Sequence, residues 1–204
     1  MRKTLSGIRP IPERISAKRE VVYSTLVAVL GFALGFVAKA TDSISILGDI
    51  GTHLGIWVLV ASLIVAFSSA PVIAMINAPL FFLPMLASYY LYGHFVLGFF
   101  PKSYFIGWLI VSLLSPLGGL AVWFSRGNGW VAYICAALPV SFLLAEGYPA
   151  FYTYRITLIL DLFFAAVLLI VLQKTWRSRA FVLALACILT LVFTSLNLLS
   201  FLPF

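Results

Sequence analysis

The sequence predicts an all-α, polytopic transmembrane helical bundle of about seven spans. Hydrophobic residues make up 63% of the 204-residue chain and charged residues only 9%, whereas a soluble domain is about 45–50% apolar. Apolar runs long enough to cross a bilayer recur along the chain, without the alternating, turn-rich pattern of a membrane β-barrel. The third observation is that Lys and Arg cluster in a few segments between the apolar runs, as they do in the cytoplasmic segments of membrane proteins. We therefore expect one transmembrane domain over 21–204.

Residues 1–20 are predicted to form a basic segment, cytoplasmic or lying in the membrane interface. Six of the 13 Lys and Arg residues fall in the first 19 positions. Ile8, Ile11 and Ile15 recur at helical spacing, and Pro12 suits a first helical turn, so we expect a short interfacial helix. The net charge of +7 does not indicate nucleic-acid binding, because the basic residues cluster where membrane topology requires them.

The first span is predicted over 21–38, as a retained membrane anchor. Its apolar run is longer than the 7–15 residues that are usual in a cleaved signal peptide. It contains Gly31 and Gly35, a GxxxG pair. Small residues at this spacing allow a second helix to approach closely, so these two glycines are candidate helix-packing residues.

The next apolar stretch, 54–92, is too long for one span and about right for two. The residues "SSAP" at 68–71 divide it, and Pro71 suits the first turn of the following helix. The alternative is that this stretch crosses the membrane once, as a tilted or re-entrant element. Further spans are predicted at 104–124, 130–148, 155–173 and 180–202.

The basic residues favour the seven-span interpretation. With a cytoplasmic N-terminus, seven spans place ten Lys and Arg residues inside and only Lys39, Lys102 and Arg155 outside. If 54–92 crosses once, the division becomes eight against five. Since cytoplasmic segments carry an excess of Lys and Arg, we expect seven spans with an external C-terminus.

Polar residues gather on the predicted outer side of this bundle. All acidic residues except Glu13 and Glu20 map there, with seven of the nine tyrosines. Asp161 lies about 9 Å into the sixth span, where a carboxylate is costly and faces protein or water. Its partner would be Lys39, Lys102 or a histidine.

These groups predict a binding site for a small cationic or aromatic molecule, because tyrosine faces attract cations and carboxylates supply charge. The candidate ligand-binding residues are Tyr89, Tyr90, Glu146, Tyr152 and Asp161. The alternatives are a tyrosine belt at the membrane interface and a structural role for Asp161 in ion pairing.

For the other polar residues we expect structural roles. Glu146 and Arg155 are predicted to form a structural ion pair across the outer turn. His53 and His94 each stand alone in the sequence. We expect both to be ordinary interfacial histidines, with a proton-linked role or a metal as the alternatives. We predict no bound metal and no cofactor.

No enzyme signature is present, whether HExxH, GxSxG, a P-loop or paired carboxylates on one helix face. Cys135 and Cys187 lie in apolar spans outside any CxxC pattern and fit small hydrophobic residues. The leading hypothesis is binding or transport of a small molecule at an outward-facing site. The second is a non-transporting accessory or assembly subunit, bound to a membrane-protein partner or to copies of itself. An intramembrane enzyme is the third.

Aromatic and glycine patterns also carry a resemblance. They are "GIWVLVA" (55–61), "ASYYLYG" (87–93), "FIGWLIVSLLSPLGGL" (105–120) and "LLAEGYP" (143–149). Through them the chain resembles an uncharacterised family of small bacterial multipass membrane proteins, over about 50–150. The resemblance implies a multipass location in the bacterial cytoplasmic membrane and no known activity.

Overall fold

The computed structural model describes residues 8–10 and 16–196, and these ranges contain helices and no strand. The interfacial helix predicted around Pro12 lies largely outside the described residues. The helices are α1 (Ala17–Ala40), α2 (Ser45–Thr52), α3 (Leu54–Ala66), α4 (Pro71–Leu97), α5 (Lys102–Phe124), α6 (Trp130–Gly147), α7 (Ile156–Leu172) and α8 (Trp176–Ser195). A single 3₁₀ turn, Tyr148–Phe151, follows α6.

Among the described residues, five helices are long and apolar enough to cross a membrane: α1, α4, α5, α6 with its 3₁₀ turn, and α8. The all-α class and the membrane character are confirmed at this level. Helices α3 and α7 are apolar but have only 13 and 17 residues. These correspond to about 20 Å and 26 Å, against a hydrocarbon core of about 30 Å. The count of seven spans therefore stays a prediction.

The stretch 54–92 is divided where the sequence predicted. Helix α3 ends at Ala66, and α4 begins with Pro71 in its first turn. Proline is favoured there because its missing N–H would have no helical partner. The segment is therefore two helices, and buried residues of both, such as Ala61 and Phe81, pack in the same apolar cluster.

Helix α2 was not predicted, and it meets α3 at a break in the chain. His53 separates the two helices with an extended backbone, at φ −77° and ψ 133°. Gly48 lies against Asp42, and Gly51 lies against Ala38 of α1, so α2 runs back along the end of α1. The indole Nε1 of Trp57 donates to the Gly51 carbonyl at 3.0 Å and satisfies one backbone group that the break leaves without a helical partner.

Helices α1 and α4 pack backbone to backbone. A Cβ atom added at Gly31 would collide with the Phe81 carbonyl oxygen, and one at Gly35 with the Met85 carbonyl oxygen and the Ser88 hydroxyl. The GxxxG pair thus contacts α4 of the same chain.

At one end of the bundle, which we call the Arg9 end, residues 8–10 rest on the turn between α5 and α6. Arg9 Nη1 donates to the Trp123 carbonyl at 2.6 Å, and the guanidinium lies 4.4 Å from the Trp123 ring centroid. Asn128 N donates to the Ile8 carbonyl at 2.8 Å. Burial above all, and then the nearby charge of Arg126, lowers the pKa of Arg9 to about 10, so this side chain stays charged at neutral pH.

Candidate functional site

At the opposite end of the bundle, three ionisable side chains from separate segments converge. His53 stands at the break between α2 and α3, Glu146 at the end of α6, and Asp161 in the second turn of α7. Each of them offers one nitrogen or oxygen atom, and these three atoms lie within 4.8 Å of one another. We call this group the acid–histidine cluster.

Asp161 is the most deeply placed member of the cluster, with only 1% of its side chain exposed. Its Oδ1 atom occupies the space beside Gly55, where any Cβ would collide with it. Gly55 lies in the first turn of α3, and the N-terminus of a helix carries partial positive charge that stabilises a nearby carboxylate. A glycine at this position therefore makes room for the Asp161 carboxylate.

The facing atoms of the cluster have unused bonding capacity. His53 Nδ1 and Asp161 Oδ2 are 3.2 Å apart, but the pair lacks the alignment of a hydrogen bond. Within the described part of the chain, His53 Nδ1, Asp161 Oδ2 and Glu146 Oε2 are buried without a hydrogen-bond partner. Buried polar atoms are nearly always bonded, so three such atoms in one cluster indicate a place for a further polar or charged group.

The cluster adjoins a cavity of about 810 Å³. Small-molecule sites usually measure about 300–1,000 Å³. Most of the lining is aromatic or aliphatic, and its ionisable members include Lys39, His53 and Glu146. The aromatic lining residues are Trp57, Phe82, Tyr89, Tyr90, Phe99, Tyr104, Trp108 and Phe142.

The lysine at the cavity already has a charged partner. Lys39 Nζ lies 2.6 Å from Asp42 Oδ2 and 4.9 Å from the centre of the Tyr89 ring. Its positive charge is therefore matched locally by Asp42, and Glu146 remains as the carboxylate of the cavity wall without an ion-pair partner among the described residues.

The structure brings together four of the five residues predicted to bind a ligand. Tyr89, Tyr90 and Glu146 line the cavity, and Asp161 stands behind this wall in contact with His53. Tyr152 does not join them: its side chain is 77% exposed, and its hydroxyl lies 2.7 Å from that of Tyr148. The 3₁₀ turn after α6 carries the chain past the end of the helix and away from the cavity.

The predicted Glu146–Arg155 ion pair is not formed. Among the described residues, Lys39 forms an ion pair with Asp42, and the imidazole of His53 lies 3.2 Å from the Asp161 carboxylate. The Arg155 residue is exposed just before α7, whereas the Glu146 carboxyl is buried in the cluster. The two side chains therefore point to different environments, although they are close in sequence.

Two histidines that looked equivalent in the sequence have different positions. His53 belongs to the cluster, whereas His94 is exposed near the end of α4, with its ring centre 6.1 Å from that of Phe100. The signal that distinguishes His53 is its setting in "GDIGTHLG" (48–55). Repeated glycines there favour a helix break and close approach of other groups.

Comparison with known proteins identifies a family whose function is unknown. Neither a curated protein nor a solved structure matches the chain. The family of unknown function DUF6518 matches residues 14–201, a longer range than the 50–150 over which the sequence patterns suggested a resemblance. Nearly the whole helical bundle lies within this match, and the chain therefore belongs to DUF6518, a family of unknown function.

Proposed function

We propose that this protein binds a small cationic or aromatic organic molecule in the cavity, either to hold it or to help move it across the membrane. The observation that carries the proposal is the cavity of about 810 Å³ with the Glu146 carboxyl in its wall. The accessory-subunit hypothesis loses its main support, because Gly31 and Gly35 already pack against α4 within the chain.

The chemistry of the lining favours a positively charged or aromatic ligand. The rings of Tyr90 and Trp108 in the lining can attract a cation or stack against a ring. Glu146 supplies a carboxylate that no ion pair neutralises among the described residues. Because Lys39 is paired with Asp42, it adds little repulsion against a cationic ligand.

We place this site on the external face of a bacterial cytoplasmic membrane. The basic residues Arg9 and Arg126 lie at the other end of the bundle, and the positive-inside rule assigns that end to the cytoplasm. Helices α2 and α3 together span about 32 Å and would form one crossing, interrupted at His53. Discontinuous helices are tolerated in membranes where they line a cavity. With α7 as a further crossing, the bundle has seven spans and an external C-terminus.

Cysteine labelling tests this topology. Single cysteines at Ser43, Ala70, Ser103 and Asn128, in a background with Cys135 and Cys187 replaced by Ala, should react with a membrane-impermeant maleimide from alternating sides: outside, inside, outside, inside. If Ser43→Cys and Ala70→Cys are labelled from the same side, α2 and α3 form a re-entrant element and the seven-span topology is wrong.

A binding measurement tests the function. Tryptamine, which joins an amine to an aromatic ring, should bind the EDTA-treated protein in detergent, as measured by isothermal titration calorimetry. Glu146→Gln keeps the shape but removes the charge, so it should raise the Kd at least tenfold, which corresponds to about 1.4 kcal/mol. Indole, which lacks the amine, should show the same affinity for both proteins.

Glu20→Gln is the matched control, since Glu20 lies in the first turn of α1, far from the cavity. It should bind tryptamine like the parent protein. Equal affinities of the parent and the Glu146→Gln protein for tryptamine would remove Glu146 from the site, and the absence of binding by tryptamine, choline and indole alike would contradict the proposal.

A further inference from the structure

We propose that His53, Glu146 and Asp161 bind a divalent transition-metal ion of the zinc class. One imidazole nitrogen and two carboxylate oxygens form a donor set that suits Zn²⁺, Co²⁺, Mn²⁺ or Fe²⁺. Mg²⁺ and Ca²⁺ prefer oxygen ligands alone. The sequence predicted no metal, because no short motif joins these three residues, which lie on three separate segments of the chain.

The unpartnered atoms of the cluster point to an ion rather than to a closed ion pair. Asp161 is almost completely buried, and its Oδ2 atom faces His53 Nδ1 at 3.2 Å without a hydrogen bond. An aligned His53–Asp161 pair would satisfy two of the three atoms and leave Glu146 Oε2 unbonded. A single metal ion between them provides a partner for all three.

The charges also balance. Two carboxylates and a neutral imidazole carry a total charge of −2, which a divalent cation neutralises. Leaving two carboxylates this close together in a buried place is costly unless a proton or a cation compensates them. Lys39 cannot serve, because its ammonium group is bound to Asp42.

The spacing of the ligand atoms is close to what a metal requires. Zinc binds nitrogen and oxygen at about 2.0–2.2 Å, so two ligands in a tetrahedral site lie about 3.4 Å apart. The widest separation in the cluster is within 4.8 Å. Contraction by at most about 1.4 Å is therefore enough, and rotation of the long Glu146 side chain can supply it, while Gly55 and the buried position of Asp161 fix the other side.

The metal and an organic cation would compete for the Glu146 carboxylate, so the metal site is tested independently of the organic ligand proposed above, whose binding is measured on EDTA-treated protein. Three protein ligands leave a coordination position open, as in zinc sites that bind substrate. His53 and Glu146 both line the cavity, so the open position faces it. An amine or hydroxyl group of a small molecule could then complete the coordination of the metal.

Metal titration of the full chain in detergent, after treatment with EDTA, tests the inference. Calorimetry should show one equivalent of Zn²⁺ bound, and Co²⁺ should give the visible absorption bands of a four-coordinate site. An excess of Mg²⁺ or Ca²⁺ should not displace the Zn²⁺. Asp161→Asn and His53→Gln should each weaken Zn²⁺ binding by about 100-fold or more, since even residues behind the ligands cost 10–100-fold.

His94→Gln is the matched control, because it removes the other histidine of the chain, which is exposed and outside the cluster. It should bind Zn²⁺ like the parent protein. If Asp161→Asn does not fold, His53→Gln and Glu146→Gln decide the question. Unchanged Zn²⁺ affinity in folded His53→Gln protein, equal loss in His94→Gln, or no Zn²⁺ binding by the parent would each overturn the proposal. If the parent protein binds Zn²⁺ but does not bind tryptamine, only the proposed organic ligand is contradicted.

Discussion

Gly35→Ala should destabilise the protein by about 3 kcal/mol, near the upper end of what overpacking usually costs. The added Cβ would collide with the Met85 carbonyl oxygen and the Ser88 hydroxyl. A backbone carbonyl cannot rotate out of the way as a flexible side chain can, so α1 and α4 would have to separate. For a chain of about 200 residues, this corresponds to a fall in Tm on the order of 10 °C.

Gly118→Ala is the same substitution at a place without neighbours. Among the described residues, no atom outside the adjacent part of its own helix lies within 4 Å of the position of its Cβ, and alanine is about 0.5–1 kcal/mol better than glycine in the interior of a helix. Its Tm in detergent should equal or exceed that of the parent protein. If Gly35→Ala and Gly118→Ala melt at the same temperature, the close contact between α1 and α4 is wrong.

The helix boundaries followed from local sequence signals. The spans predicted at 104–124 and 130–148 correspond to Lys102–Phe124 and Trp130–Gly147. The polar and glycine residues between them mark the turn, and Gly129 adopts a φ of 83° that other residues rarely adopt. Turn-forming residues act locally, so a single sequence is enough to find them.

Helix α2 and the break at His53 could not be predicted in the same way. Ser45–Thr52 has only eight residues and includes two glycines, a weak helical signal. The helix is held by contacts with α1 and by the Trp57 hydrogen bond to Gly51. These contacts join segments that sequence patterns do not relate to one another.

Only part of the candidate site could be predicted from the sequence, and the reason is physical. The depth of Asp161 required a partner, and a histidine was one of three candidates. Choosing His53 requires knowing that the start of α3 packs against α7, more than a hundred residues later in the chain. The predicted pair of Glu146 with Arg155 is absent from the described residues, because closeness in sequence does not fix the direction in which two side chains point.

Trp123→Ala should have an effect at least as large as that of Gly35→Ala, at the Arg9 end of the bundle. Trp123 is fully buried, and its Nε1 donates to the Ser68 carbonyl at 2.9 Å. Removing a buried tryptophan leaves a cavity and costs about 3–5 kcal/mol. Trp176→Ala is the control: that side chain is 80% exposed, and the change should stay within about 0.5 kcal/mol.

Two further variants separate the hydrogen bond of Trp123 to Ser68 from its contact with Arg9. Trp123→Phe keeps an aromatic face but loses the bond to Ser68, which leaves a buried carbonyl unpaired and should cost about 1–3 kcal/mol. Arg9 rests on the same ring at 4.4 Å, a cation–π contact of about 0.5–1 kcal/mol where it is partly exposed. Arg9→Ala should therefore cost less in the Trp123→Ala background than in the Trp123→Phe background, as measured by Tm in detergent. If Arg9→Ala lowers the Tm equally in the two backgrounds, Arg9 does not rest on the Trp123 ring.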